Sequence, residues 1–439
     1  MKAIVSFFIT ISLAATCAAQ QDSAVNKKFS IHWQATAIPQ YHFGFKSPYS
    51  GLNSLQASEP LKTSFTTTLY LAYKPFRSTY LVFDPEAAGG KGLSKTLGVA
   101  GFPNGEIYRV GDPAPKPYIA RLYVEQRFPL SDKKEAVEGG LNAIQETTNK
   151  EYISVLAGKF SLTDFFDNGA ISHDPRTQYL NWGLMGSGAW DYPANVRGYT
   201  LGLVIQALYH DFALRYAITS MPTEANGASL QWKYNKAMGQ VLELEKEHLW
   251  QKDDTHFGTL HAGVFWNKAR MGNYETSIKN SLPSYAPDIT DSRVYGRDKF
   301  GFYGSIDNHF GKFHHFIKAS WNDGKNETWA FTEIDRSFAT GVSLDGSLWK
   351  RNNDHFGMAI LANRLSKPHR DYIAAGGYGF LIGDGKLNYA PEEIAECYYS
   401  FNFFKWLYIS PDYQFILHPA YNKDRGPVNV AGLRVHVEI

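Results

Sequence analysis

The sequence predicts an all-β fold, a transmembrane antiparallel barrel, and three observations predict it. The first is the segment Gly432-Leu433-Arg434-Val435-His436-Val437-Glu438-Ile439. Leu433, Val435, Val437 and Ile439 share one side of a strand, and Arg434, His436 and Glu438 share the other. A barrel in lipid needs such a last strand to close its sheet. The second is the recurrence of the same alternation along the chain. The third is composition: 15% aromatic residues and 38 glycines with few helical stretches, as aromatic girdles and tight turns require. On the terminal segment alone, a half-exposed edge strand of a soluble sandwich fits equally well.

The alternating segments come in order. In Thr66–Lys74, Leu69, Leu71 and Tyr73 share a face. In Ile119–Arg127, Leu122 and Val124 oppose Arg121, Tyr123, Glu125 and Arg127. Leu201–Ala207 and Phe212–Thr219 alternate as well, the second placing Arg215 opposite Leu214 and Tyr216. In Gln240–Leu249, Leu242 and Leu244 oppose Glu243, Glu245 and Glu247. A helix would scatter those carboxylates and leave the two leucines about 200° apart, whereas a strand lines them up. Leu260–Trp266, His315–Trp321, Phe356–Ala362 and Ala395–Phe403 repeat the pattern. One aliphatic and one charged face, strand after strand, suits lipid outside and water inside. Between strands lie the long polar or Gly/Pro-rich connections Pro85–Lys116, Thr163–Arg197 and Arg270–Arg297. These are expected as extracellular loops, joined at the other end by short periplasmic turns. No domain linker, short-period repeat or N-terminal plug domain is apparent.

The N-terminus reads as a signal peptide over residues 1–19. Lys2 supplies charge, Ala3 to Ala15 a short apolar run, and Cys17 and Ala19 the small residues before Gln20. The run is too short for a membrane helix. Lipoprotein processing at Cys17 fits less well, because Ala14 stands where a larger aliphatic residue is usual. Residues 20–439 are then a single barrel domain with Cys397 as the only thiol, so no internal disulfide can form. The net charge of +2 gives no pull toward nucleic acid.

Within Pro85–Gly111 the chain reads Pro85-Glu86, Gly90-Lys91-Gly92-Leu93-Ser94 and Gly98-Val99-Ala100-Gly101-Phe102-Pro103-Asn104-Gly105-Glu106. Further along come Ala120-Arg121-Leu122, Gly158-Lys159-Phe160 with Asp164 and Phe166-Asp167, Asp174-Pro175-Arg176, Asn181-Trp182 and Asp191 through Tyr199. Trp321-Asn322-Asp323-Gly324, Gly376 through Phe380, Gly383-Asp384-Gly385, Asp412-Tyr413-Gln414, Asn422 through Val428 and Arg434-Val435-His436 complete the series. Their number and order, from about Pro39 onward, resemble the carbohydrate-selective outer-membrane porins of the OprB type. The resemblance implies a barrel of about 16 strands and passive diffusion of sugars across a Gram-negative outer membrane. Ile439 departs from the aromatic residue that often ends such strands.

A sugar channel needs a wet constriction with weak, multiple sites. Carboxylates accept from hydroxyls, and guanidinium donates in a fixed fork. The expected pore-lining residues are Arg121, Tyr123, Glu125, Arg127, Arg215, Glu243, Glu245 and Glu247. Glu86, Lys91, Glu106 and Arg109, in the loop that carries the resemblance, are the constriction candidates. Trp182 and Trp190 are candidates for stacking on sugar rings, against roles in a membrane belt or loop core. No catalytic residue, metal or cofactor is expected. His314 and His315, adjacent in a strand, point to opposite faces and cannot readily share an ion. Gly186-Ser187-Gly188 lacks the strand-to-helix setting of a nucleophile elbow. The expected partners are mono- or oligosaccharides, outer-membrane lipid with lipopolysaccharide, and the barrel-assembly machinery, with the chain a monomer or homo-oligomer. The competing readings are an outer-membrane barrel hydrolase and a secreted soluble β-sandwich that binds carbohydrate.

Overall fold

The computed structural model describes residues 27–107 and 114–439. The expected signal peptide and Arg109 lie outside the described residues. In the first half of the chain the strands are β1 (Phe29–His42), β2 (Lys62–Phe76), β3 (Thr79–Gly90), β4 (Lys116–Pro129), β5 (Lys134–Val137), β6 (Glu146–Asn149), β7 (Tyr152–Phe160), β8 (Thr200–Tyr209) and β9 (Phe212–Thr219). The second half adds β10 (Met238–Asp253), β11 (His256–Ala269), β12 (Arg297–Phe310), β13 (Phe313–Asn322), β14 (Arg336–Asp345), β15 (His355–Arg364), β16 (Glu392–Phe404), β17 (Leu407–Leu417) and β18 (Val428–Glu438). Sixteen of them form one closed antiparallel barrel. Each pairs with its chain neighbours, β4 sits beside β7, and β18 pairs with β1 to close it. β5 and β6 form a separate two-stranded sheet. Among the described residues three short helices lie in loops: α1 (Trp182–Met185), α2 (Tyr274–Asn280) and α3 (Lys367–Ala374).

Alternation sets the two faces. In β2, Ser64, Thr66, Thr68, Tyr70 and Ala72 are buried inward, and Leu69 and Leu71 face out. The outer surface carries Leu81, Leu122, Leu214, Leu242, Val264, Phe302, Met358 and Ile360 exposed over about the same band. Water would not tolerate an apolar surface of that extent on a soluble monomer, and lipid requires it. Aromatic pairs flank the short turns, as Phe29 on Tyr73 (4.5 Å between ring centroids), Phe404 on Trp406 (5.3 Å) and Phe310 near Phe313 (6.0 Å). They form the girdle at one membrane interface. The core lies inside the barrel. In-folded loops supply Phe102, Trp182, Trp190, Tyr192 and Phe331, which pack on wall residues such as Leu156, Val204, Val241 and Phe265.

Three expectations change. Pro85–Lys116 is not all loop: β3 continues to Gly90, and Pro85 sits at a register shift opposite β4, where its missing N–H breaks no ladder bond. The longest connection is 161–199, between β7 and β8. The alternation of β10 fails after Lys246, where the register with β11 shifts and His248 takes a φ of 52°. Finally, the turn end is not uniformly short, because 130–151 carries the β5–β6 hairpin there.

Two loop carboxylates pin the long loops. Glu59 accepts from the Ser94 N–H and hydroxyl at 2.7 Å each and lies 3.2 Å from His42. Burial raises its pKa, but the hydrogen bonds from His42 and Ser94 outweigh burial and hold it at about 2, below its ordinary 4.5. Asp335 accepts from the Ser366 N–H (2.8 Å) and pairs with His369 (3.0 Å). Burial there is likewise outweighed by His369, leaving Asp335 at about 2 against 3.8. A depressed carboxyl stabilises the fold above its unfolded pKa, and the contribution is lost as pH falls through the folded value. The Ser94 and Ser366 amides should therefore lose hydrogen-exchange protection between pH 4.5 and 2. Equal protection factors at both ends of that window would contradict this.

Candidate functional site

The 161–199 connection leaves β7, crosses the lumen and returns to β8. It is held on the β13–β18 side by buried cations. Arg434 on β18 donates to the carbonyl oxygens of Pro175 (3.0 Å), Thr177 (3.0 Å) and Gln178 (2.5 Å). Lys318 on β13 donates to the Ser172 carbonyl at 2.6 Å. The Tyr179 hydroxyl donates to the Val342 carbonyl at 2.7 Å. Glu396 on β16 accepts from the N–H groups of Leu180 (2.5 Å) and Asn181 (2.9 Å).

Across the barrel's closing seam, on β2 and β3, this lumen bar is held by Arg176. Its Nε donates to Glu106 (2.7 Å), its Nη2 to Glu86 on β3 (3.0 Å) and its Nη1 to Thr68 on β2 (3.1 Å). A guanidinium suits this work, because its donors form a rigid fork. Burial disfavours the Arg176 charge, but Glu106 and Glu86 more than offset it, and its pKa is raised. Beside it, burial pushes the Asp174 carboxyl up, but Arg176 outweighs burial and holds it below the usual carboxylate range. Arg121 on β4 makes a second fork, giving Asp164 two bonds (2.8 and 2.5 Å) and Asp84 one (3.3 Å). The Arg197 guanidinium lies 3.9 Å from the centre of the Tyr118 ring, a cation–π contact.

The aromatic part of the site comes from three loops meeting. Asn181 caps α1 by accepting from the Gly183 N–H (3.0 Å) and donates to the Gly101 carbonyl (2.8 Å). The Trp182 N–H donates to the Phe102 carbonyl (3.0 Å). Its ring stacks on Phe102 at 5.0 Å, with Phe331 at 5.0 Å and Tyr192 at 5.8 Å. Gly105 lets the loops approach, since a Cβ there would fall 3.1 Å from the Leu180 carbonyl and against the Met185 sulfur.

These groups line one lumen cavity of about 370 Å³. Arg121, Asp164, Glu86, Glu106, Asp174, Arg176, Arg197, Tyr118 and Tyr199 bring polar groups to it. Phe102, Trp182, Tyr192 and Phe331 bring ring surface. Leu141 and Asn142 reach it from the 130–151 connection at the turn end. That connection is anchored by buried Glu146, which takes a bond from the Tyr80 hydroxyl (2.6 Å) and pairs with Lys74. Glu146→Ala should free it and raise single-channel conductance. An unchanged conductance in the folded variant would show that the hairpin does not narrow the path.

The expected site residues therefore separate. Arg121, Glu86 and Glu106 meet at the cavity, although Glu86 belongs to the wall of β3. Tyr123, Glu125 and Arg127 face inward below it. Arg127 forks onto Glu125 (2.9 and 3.2 Å), and its guanidinium lies 4.3 Å from the Tyr80 ring centre. Arg215, Glu243 and Glu245 form a separate cluster beneath the 166–170 segment. Glu247 is exposed near Asp211 and His248, past the register shift. Lys91 is exposed just beyond β3. Trp190 is loop core, stacked on Tyr303 at 4.9 Å. Arg176, Asp164, Asp174 and Arg434 were not among the expected site residues, although each falls in a stretch that carries the family resemblance.

Ser187 donates to Asp167 (2.9 Å) rather than to a histidine, so no nucleophile–base pair forms there. The closed barrel with its exposed apolar belt rules out the soluble sandwich.

The model of the carbohydrate-selective porin OprB family matches residues 53–439. No curated protein sequence matches the chain. Among solved structures, the high-pH form of Pseudomonas putida OprB is 14% identical over 94% of each chain, with a TM-score of 0.68. The low-pH form of that protein is 10% identical over 94% of this chain and 93% of that one (TM-score 0.48). Pseudomonas aeruginosa OccK2 (OpdF) is 10% identical over 95% of this chain and 99% of that one (TM-score 0.46). The first of these likenesses shows the fold. With the family model spanning most of the sequence, the chain belongs to the carbohydrate-selective porin OprB family and is a passive outer-membrane channel for carbohydrates.

Proposed function

We propose that the cavity under the 161–199 bar is the selective constriction of this channel, and that it passes small neutral saccharides. The observation that carries this reading is the meeting of two chemistries on one cavity. Forked guanidinium–carboxylate pairs centred on Arg121 and Arg176 stand alongside the stacked rings of Phe102, Trp182 and Phe331. Sugar hydroxyls exchange hydrogen bonds with the first set, and the apolar pyranose face lies against the second. The Arg121 and Arg176 guanidiniums are each held by carboxylates, so a neutral solute meets fixed, oriented hydrogen-bonding groups. Contacts of this kind are weak and several, as conduction requires.

Arg121, Glu86 and Glu106 are assigned to the constriction, and Arg127 and Glu125 to the inner wall below it. The same reading makes the chain a transporter without catalytic activity, exported through cleavage of a signal at residues 1–19 and folded as a single domain over 20–439. Support for the export step is the Lys2 charge, the short apolar run and the small residues before Gln20.

Refolded protein in a planar bilayer should show stepwise conductance that glucose and short oligosaccharides reduce in a saturable way. Conductance indifferent to sugars would refute the saccharide constriction. Hydrolysis of a sugar panel by the folded barrel would refute the absence of catalysis.

A further inference from the structure

We infer that Glu243, Glu245 and His261 form a binding site for a divalent transition-metal cation, apart from the saccharide cavity. Register creates the site: Glu245 lies directly opposite His261 across the β10–β11 pair, and Glu243 lies two residues away on the same inner face. One imidazole nitrogen and two carboxylate oxygens from these residues lie within 4.8 Å of one another.

The spacing between His261 and the two carboxylates is that of metal ligands rather than of hydrogen-bonded partners. His261 is 4% exposed, and its Nδ1 has no hydrogen-bond partner. It lies 3.6 Å from Glu245 Oε2 and 3.8 Å from Glu243 Oε1. Those separations are too long for a hydrogen bond. They are close to the roughly 3.4 Å between ligand atoms about 2.1 Å from a tetrahedral zinc. On the far side of the ring, Nε2 lies 3.9 Å from Asp307 Oδ2, and the other oxygen of Asp307 has no partner. A carboxylate behind the second nitrogen is the usual outer partner of a metal-bound histidine.

Charge agrees. Glu243 and Glu245 face one guanidinium, Arg215, which reaches Glu245 at 2.6 Å and Glu243 at 3.3 Å. Two ligand carboxylates share that one guanidinium, and Lys318 stands beside Asp307, so an added cation at Glu243 and Glu245 meets net negative charge when His261 is neutral. Arg215 uses one lone pair of each carboxylate oxygen and leaves another for an ion. The ligand set of one nitrogen and two oxygens, without thiolate, suits zinc and its neighbours better than a hard ion that takes oxygens alone. Glu243 Oε2 also accepts from the Asp167 N–H (2.7 Å) and the Tyr303 hydroxyl (2.7 Å), so an ion here ties the wall to the start of the lumen bar.

Folded, detergent-purified protein stripped with chelator and titrated with zinc should bind one equivalent per chain at micromolar concentration or tighter. Its melting temperature should rise with zinc, as for any ligand of the native state. His261→Gln and Glu245→Gln should each abolish the tight equivalent, a larger loss than the about 10- to 100-fold expected for the outer-partner change Asp307→Asn. Asp211→Asn, in the exposed Asp211–Glu247–His248 cluster, should leave it intact. No saturable binding by the wild type would overturn the inference, as would equal binding by His261→Gln and Glu245→Gln. Should those variants not fold, zinc-edge anomalous scattering from wild-type crystals decides the matter. A peak between the three side chains supports the site, and its absence overturns it.

Discussion

Arg176→Ala should turn the channel toward cations and widen it. Among the described residues Arg176 bonds both Glu86 and Glu106, and both carboxylates are largely buried. Removing one member of a buried pair costs about 3–5 kcal/mol, mostly as the penalty of the charge left behind. Here that charge is two carboxylates on the wall of a wet cavity. Each added unit of negative potential favours a passing cation by about 1 kcal/mol in water-like surroundings, or about fivefold in permeability. The reversal potential in a KCl gradient should therefore move toward potassium selectivity. Conductance should also rise, because the middle of the bar loses the Arg176 bonds to Thr68 and Glu86, while Tyr199 keeps its own bond to Glu86 and Arg434 and Lys318 keep theirs to the bar's carbonyls. Arg176→Lys separates the two effects. It restores the charge, but a point ammonium cannot hold Glu86, Glu106 and Thr68 in one fixed fork. Selectivity should return while open-channel noise remains. An unchanged reversal potential in Arg176→Ala would remove Arg176 from the conduction path.

The wall of this barrel is legible in the sequence and its interior is not, for a physical reason. A strand in lipid must keep its period, so Leu122 and Val124 against Arg121 and Glu125 declare both faces locally. The lumen side is decided by contacts far apart in the chain. Arg176 meets Glu106 at a separation of 70 residues and Glu86 at 90, and Arg434 meets Gln178 at 256. No local pattern records these pairings. What the sequence did hold was the family's series of short motifs, which contains Asp164, Asp174-Pro175-Arg176 and Arg434 without saying what they bind. Irregularity hides the rest. The bulge at Pro85 conceals that Glu86 belongs to the wall, and the register shift after Lys246 carries Glu247 away from Glu243 and Glu245. The His261–Glu245 pairing is visible only once β10 and β11 are in register.

Trp182→Ala should weaken sugar block about tenfold while leaving ion selectivity almost unchanged. Trp182 stacks on Phe102 and lies 5.0 Å from Phe331, and it lines the cavity. Aromatic contacts of this kind contribute about 0.5–1.5 kcal/mol beyond their buried area, and 1.4 kcal/mol is a factor of ten in affinity. No charge is altered, so the reversal potential has no reason to move. The barrel wall should survive, because Trp182 belongs to a four-residue helix in a loop and the strands pair without it. Trp182→Phe supplies the control, since it keeps a ring at the stack and should retain most of the block. If glucose and short oligosaccharides reduced the current of Trp182→Ala with wild-type concentration dependence, the rings would be loop core alone. The sugar would then be recognised by the forked charges of Arg121 and Arg176, and loss of block would follow Arg121→Ala instead.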